Sequence, residues 1–228
     1  MRRSLPIFTE RSRQQEQQER IILQTRPQLS EGLNLLEKPE GLPIFQVLTA
    51  AELEGMNSSA VWIDSRNEAS TYALSNHGGP EILEKVRIGR AFTPLQHHSL
   101  IHRLDEFVDQ DTELVVLPNL TYHYVEGQLA DWERNELFEE SWTQIRDVQD
   151  EYDLKVLLSL HRRDELDYFI EAECGNKITV ETTDEGLRYS SGGFEQMAYR
   201  EGRTLQTTIS YWEEKTCRKV RLKAEVRN

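Results

Sequence analysis

From about residue 41 onward, short apolar runs alternate with stretches in which apolar residues recur every three or four positions. Strands separated by helix-length connections cannot pair as tight hairpins, so this rhythm predicts βαβ units and a mostly parallel sheet. The predicted strands are Ile44 to Leu48, Ala60 to Ile63, Val86 to Phe92, Leu114 to Leu117 and Leu154 to Leu160. Leu100, Ile101, Leu104, Phe107 and Val108 mark one amphipathic helix, with Pro94 at its start, where a missing N–H costs least. Phe138, Trp142, Ile145 and Val148 mark a second helix over 135–151. After residue 166 the rhythm changes. Lys177 to Thr182 alternates with period two, Asp184-Glu185-Gly186 turns into Leu187 to Ser190, and Phe194 to Tyr199 and Thr204 to Trp212 follow. These segments predict antiparallel hairpins. The expected fold is α/β: a mostly parallel sheet flanked by helices and ending in hairpins.

Residues 1–40 read as a polar helical extension. The run Arg11 to Arg20 is rich in Gln, Glu and Arg, all good helix formers, and leads into the apolar Ile21-Ile22-Leu23; a solvated arm and a docking helix are both open. Pro27, Pro39 and Pro43 punctuate the connection, which places the core at 41–215 and leaves 216–228 as a basic tail. No apolar run approaches the roughly 20 residues that span a bilayer, and the start lacks a signal-peptide segment, so the expectation is a cytoplasmic protein. A formal charge of −13 opposes autonomous binding to the DNA backbone. The glutamate excess, beside 20 arginines and 7 lysines, hints at a salty cytoplasm. Cys174 and Cys217 are too few for a disulfide scaffold and read as structural thiols.

Several short strings resemble the ATPase core of RecA/RadA recombinases, archaeal RadA above all. Val61-Trp62-Ile63-Asp64-Ser65 looks like the family's strand that ends in an acidic catalytic segment, and Val86 to Thr93 looks like the strand that follows it. The helix from Pro94, the strand Glu113 to Leu117, the helix 135–151 and the strand Lys155 to Leu160 fall where the family has a helix, its Walker B strand, and the helix and strand before its second DNA loop. The resemblance covers roughly residues 42–212 and implies a RecA-like sheet.

Departures from the family pattern bear on function. A phosphate-binding loop needs a glycine-rich turn followed by lysine and a hydroxyl residue. No Gly-Lys pair occurs, and Leu48 to Ser59, where the predicted strands place the loop, offers two glutamates instead. The resemblance matches Pro118, with Asn119 next, to the family's magnesium-ordering aspartate; neither can organise a hard cation as a carboxylate does. It matches Arg66, two residues after Asp64, to the water-activating glutamate, and a guanidinium cannot act as a general base. Arg162 and Arg163 fall where the family contacts DNA, but Asp164-Glu165-Leu166-Asp167 follows at once and offsets their field.

The resemblance therefore implies a non-catalytic paralogue without cofactor or metal. It would act through a protein partner, a recombinase or related ATPase, with DNA contacted weakly or indirectly and with side-by-side self-assembly open. An unusual nucleotide site using Arg66 or Asn119, and a weak DNA-binding module, are the alternatives.

Other constellations read as structural. His98 and His102 share a helix face, but Ser99 stands where a metalloprotease motif needs glutamate, and His97 falls in line with the apolar stripe. No Gly-x-Ser-x-Gly elbow exists, and Ser190-Ser191-Gly192-Gly193 reads as a hairpin connection. Asp64 and Glu68 lie beyond a strand end, where α/β sheets bind ligands; a turn or capping role for Asp64 is equally open. Trp132, Trp142 and Trp212 read as packing residues.

Overall fold

The computed structural model describes residues 27–54, 58–161, 164–192, 194–201 and 204–207. The polar N-terminal run, Arg162, Arg163, Trp212, Cys217 and the basic tail lie outside these residues. In chain order the strands are β1 (Gly32–Glu37), β2 (Ser59–Asp64), β3 (Val86–Arg90), β4 (Thr112–Leu117), β5 (Lys155–Leu158), β6 (Asn176–Thr183), β7 (Gly186–Ser191), β8 (Phe194–Glu201) and β9 (Thr204–Thr207). They form one sheet in the order β3-β2-β4-β5-β1-β6-β7-β8-β9. The pairings from β3 across to β6 are parallel, and those from β6 to β9 are antiparallel. The protein is thus an α/β domain whose parallel sheet ends in hairpins.

The helices are α1 (Ile44–Glu52), α2 (Thr71–Gly78), α3 (Ile82–Lys85), α4 (Pro94–His102), α5 (Leu104–Phe107), α6 (Tyr122–Glu126), α7 (Asp131–Tyr152) and α8 (Glu165–Glu173). Side chains alternate across each parallel strand, so the sheet has two apolar faces. Leu36, Trp62, Val116 and Leu157 pack with Phe45, Val47 and Leu48 of α1 and Leu74 of α2. On the other face Leu35, Ile63, Val115 and Leu158 pack with Ile101, Leu104, Phe138, Trp142 and Ile170, from α4, α5, α7 and α8.

Three expectations need correction. Ile44 to Leu48 is the first half of α1, not a strand: every residue from Ile44 to Ala50 is buried. A short continuous apolar run fits a buried helix as well as a buried strand, and the alanines that follow favour the helix. The core also begins before residue 41, because β1 pairs with β5 on one side and β6 on the other. Finally, the helix expected over 94–108 is broken at Arg103 into α4 and α5.

β1 is fixed by an asparagine as much as by its leucines. Asn34 is fully buried. Its Nδ2 donates to the carbonyls of Ser30 at 2.8 Å and Gly32 at 3.0 Å, and its Oδ1 accepts from the Ser30 amide at 2.9 Å and Asn176 Nδ2 at 2.8 Å. Among the described residues, three helix starts are capped by a side-chain oxygen. Thr93 Oγ1 accepts from the Gln96 amide at 3.2 Å ahead of Pro94, Ser70 Oγ from Ala73 at 3.2 Å, and Asp164 Oδ1 from Asp167 at 3.1 Å. The last cap opens α8, in the acidic stretch that sequence reading leaves as a loop.

Candidate functional site

Parallel strands deliver their connections to one edge of the sheet. After β1 the chain moves toward β2, and after β5 it moves the opposite way toward β6, with α1 and α8 on opposite faces. β1 and β5 are neighbours, so the connections diverge between them and leave a crevice, the usual ligand position of an open α/β sheet. A cleft of about 460 Å³ lies there, with Lys38, Arg66, Asn119, His161, Asp167 and Tyr168 among its lining.

Each residue is placed by a strand end. Lys38 follows β1 and lies beneath the surface, ion-paired with Glu68 and 5.9 Å from the centre of the Phe45 ring. Glu68 is held in turn by α1, whose Gln46 Nε2 donates to its carbonyl at 2.6 Å. Arg66 follows β2 in a left-handed conformation, with φ of 60°, and Asn119 follows β4 with φ of 51°. Such backbones are costly for residues with a Cβ and recur at functional sites. The Asn119 amide donates to Ser159 Oγ at 2.9 Å, which ties the ends of β4 and β5 together.

The Arg66 guanidinium is a partly exposed cation at this edge. It sits 5.3 Å from the centre of the Tyr122 ring, lies 4.0 Å from Glu40, and donates to His161 Nδ1 at 3.3 Å. Accepting at Nδ1 leaves His161 its proton at Nε2, which points to Glu126 Oε1 at 3.3 Å. The cleft is therefore a polar crevice in which Arg66 can meet a carboxylate or phosphate while acidic neighbours limit the anionic charge it tolerates.

Of the residues singled out from the sequence, the structure brings Arg66, Glu68 and Asn119 together in the cleft. Asp64 lies behind it: its Oδ1 accepts from the Ala69 amide at 2.9 Å, and Arg90 Nε is 3.6 Å from Oδ2. Burial raises the Asp64 pKa, against the opposing pull of the Ala69 amide and Arg90. Its place is the turn role. Pro118 is buried at the end of β4. No family model matches this sequence, and no curated protein matches it. Lys38 and Tyr168 are cleft residues that sequence reading misses, because β1 and α8 were not recognised.

His97, His98 and His102, all on α4, do not line the cleft. His97 is fully buried, with Nδ1 3.0 Å from Tyr124 Oη, which is 2.8 Å from Ser141 Oγ. Burial, reinforced by the neighbouring His123 and His98, pushes its pKa down to about 3, so the ring is neutral. His98 Nε2 contacts Glu140 at 2.9 Å, and its ring stacks on His102. Among the described residues no group of three or more His, Cys, Asp and Glu could hold a metal ion, and no helix is long and apolar enough to cross a membrane. Ser190 and Ser191, expected in a hairpin connection, are the last residues of β7 and pair with Glu195 and Phe194 of β8; the turn begins only at Gly192, because two glycines suffice to reverse the chain. Trp142 packs in the core, but Trp132 is 70% exposed, contrary to its expected packing role.

Proposed function

We propose that this chain is a RecA/RadA-like paralogue that does not turn over nucleotide and acts by binding another protein, in DNA recombination or repair. The observation that carries this reading is the segment after β1. There the chain passes from Lys38 to Pro43 straight into α1, whose first residues, Ile44 and Phe45, are fully buried. A triphosphate needs a ring of unpaired backbone N–H groups and a free lysine. Here Pro43 has no N–H, the Ile44 amide is already bonded to Leu42 O at 2.8 Å, and Lys38 is engaged by Glu68. This segment, and not Leu48 to Ser59, is the place to look for the loop, and it too lacks the Gly-Lys pair.

The parallel sheet running into terminal hairpins supports the resemblance. In this reading the protein is cytoplasmic, its partner is a recombinase or related ATPase, and DNA is reached through that partner. Tagged protein recovered from its native host at high salt should bring such a partner with it; recovery of no recombinase, ATPase or repair protein would count against the reading.

The meeting of Arg66 and Asn119 in the cleft favours a second reading, in which a nucleotide binds by an unusual route. Calorimetric titration with ATP and magnesium separates the two: heat together with phosphate release would replace the first reading with the second.

A further inference from the structure

Three exposed large apolar side chains follow strands at the carboxyl edge of the sheet. Phe92, Leu95 and Trp132 are 75%, 60% and 70% exposed. Leu95 and Trp132 stand in the first turns of α4 and α7, which lie side by side. His98 meets Glu140 at 2.9 Å, Gln144 Nε2 donates to Asp105 at 3.3 Å, and Pro94 lies against Gly127 just before α7. These contacts advance together along both segments, so the helices run the same way and their first turns share one end.

Helical spacing then defines the seam between them. His98 and Glu140 meet across it; by spacing, Leu95 and His102 lie on the His98 side of α4, and Trp132 and Glu136 lead up to Glu140 on α7. The seam is apolar at the carboxyl edge and acidic further down, where Asp105 adds another carboxylate. α7 as a whole carries eight acidic residues against two arginines. Such a surface repels a second copy of itself and nucleic acid alike, and attracts a cationic partner. An exposed tryptophan at the same end of two parallel helices as two further exposed apolar side chains is the kind of anchor that dominates protein interfaces.

We propose that the α4–α7 seam docks a basic segment of another protein, with an apolar anchor seated between Phe92, Leu95 and Trp132 and cations lying along Glu136 and Glu140. The proposal rests on the reading that the chain works by binding protein, and it names the surface and the chemistry of the partner.

The test uses two synthetic peptides with the same arginines at helical spacing, one ending in a Leu-Phe anchor and the other with that anchor replaced by serines. Binding is measured by fluorescence anisotropy to the full chain and to two variants, Leu95→Ser with Trp132→Ser, and Glu136→Lys. All the changed residues are on the surface, and circular dichroism confirms each fold. The anchored peptide should bind more tightly than the serine peptide and lose about tenfold in affinity to either variant. Equal binding of both peptides, or unchanged affinity in the variants, overturns the proposal. So does a dimer in sedimentation that the double variant abolishes, which would assign the face to a second copy. The host pull-down repeated with the double variant separates the two readings. A partner held equally by both proteins sinks this surface and leaves the interaction reading standing; no partner with the unaltered protein sinks that reading itself.

Discussion

Removing residues 1–40, which a proline-based boundary would treat as an appendage, should abolish folding. The cut takes away β1, whose Leu33, Leu35 and Leu36 are 6%, 1% and 1% exposed. At about 1.5–3 kcal/mol for each buried leucine, the three together contribute roughly 5–9 kcal/mol, comparable with the entire stability of a typical domain. The cut also removes the Asn34 bonds and leaves facing edges of β5 and β6 without their ladder partners. A milder version is Leu35→Ala, which should cost about 2–5 kcal/mol by urea denaturation, depending on how far the site collapses. Far-ultraviolet circular dichroism and urea titration of the truncated chain provide the assay. A cooperative transition with unchanged helix and strand signal after the cut would refute the central position of β1.

Three further outcomes follow from single sites. His97 is neutral in the fold, with its pKa pushed down to about 3, whereas an unfolded histidine protonates near pH 6.5. The unfolded state therefore binds the extra proton below about pH 6.5, so the His97 contribution leaves stability intact above that pH and erodes it as pH falls toward 3, by up to ~1.4 kcal/mol per pH unit. Comparing His97→Gln with the parent by urea denaturation at pH 7, 6 and 5 should show a shallower loss in the variant; parallel curves would contradict this. Gly127→Ala should destabilise by about 1–3 kcal/mol in thermal melts, because the new Cβ would lie 2.4 Å from His123 O and 2.5 Å from Pro94 Cγ. In a Cys217→Ser background, Cys174 should alkylate at least about a hundredfold more slowly than free cysteine at pH 8, since burial and the nearby Glu171 and Glu173 push its thiol up to about 12. Rapid labelling of the folded protein would show otherwise.

The strands from β2 onward are legible in the sequence because each apolar run is framed by polar turns, and the hairpins because Lys177 to Thr182 alternates with period two. β1 is hidden because it carries a buried asparagine in the middle of its leucines and sits among Pro27, Pro39 and Pro43. Asn34 reads as a turn residue until its partners on β5 and β6 are known. Ile44 to Leu48 then reads as a strand, since a sheet lacking β1 recruits the next apolar run. Arg66 and Asn119 were found by comparison of short strings, and their convergence needed only correct strand ends. Lys38, Tyr168 and the Trp132 surface were not legible, because they depend on which strands are neighbours and on which helix faces remain uncovered.

The position of β1 also orders events in time. Asn34 bonds to Val156 O across 122 positions and to Asn176 across 142. β1 therefore leaves the ribosome well ahead of either neighbour, and until they follow its three leucines wait in water. Closure of the sheet around β1 waits for both of these segments, and contacts this distant in sequence are formed slowly. In the cell, that interval is when a chaperone would have most to hold.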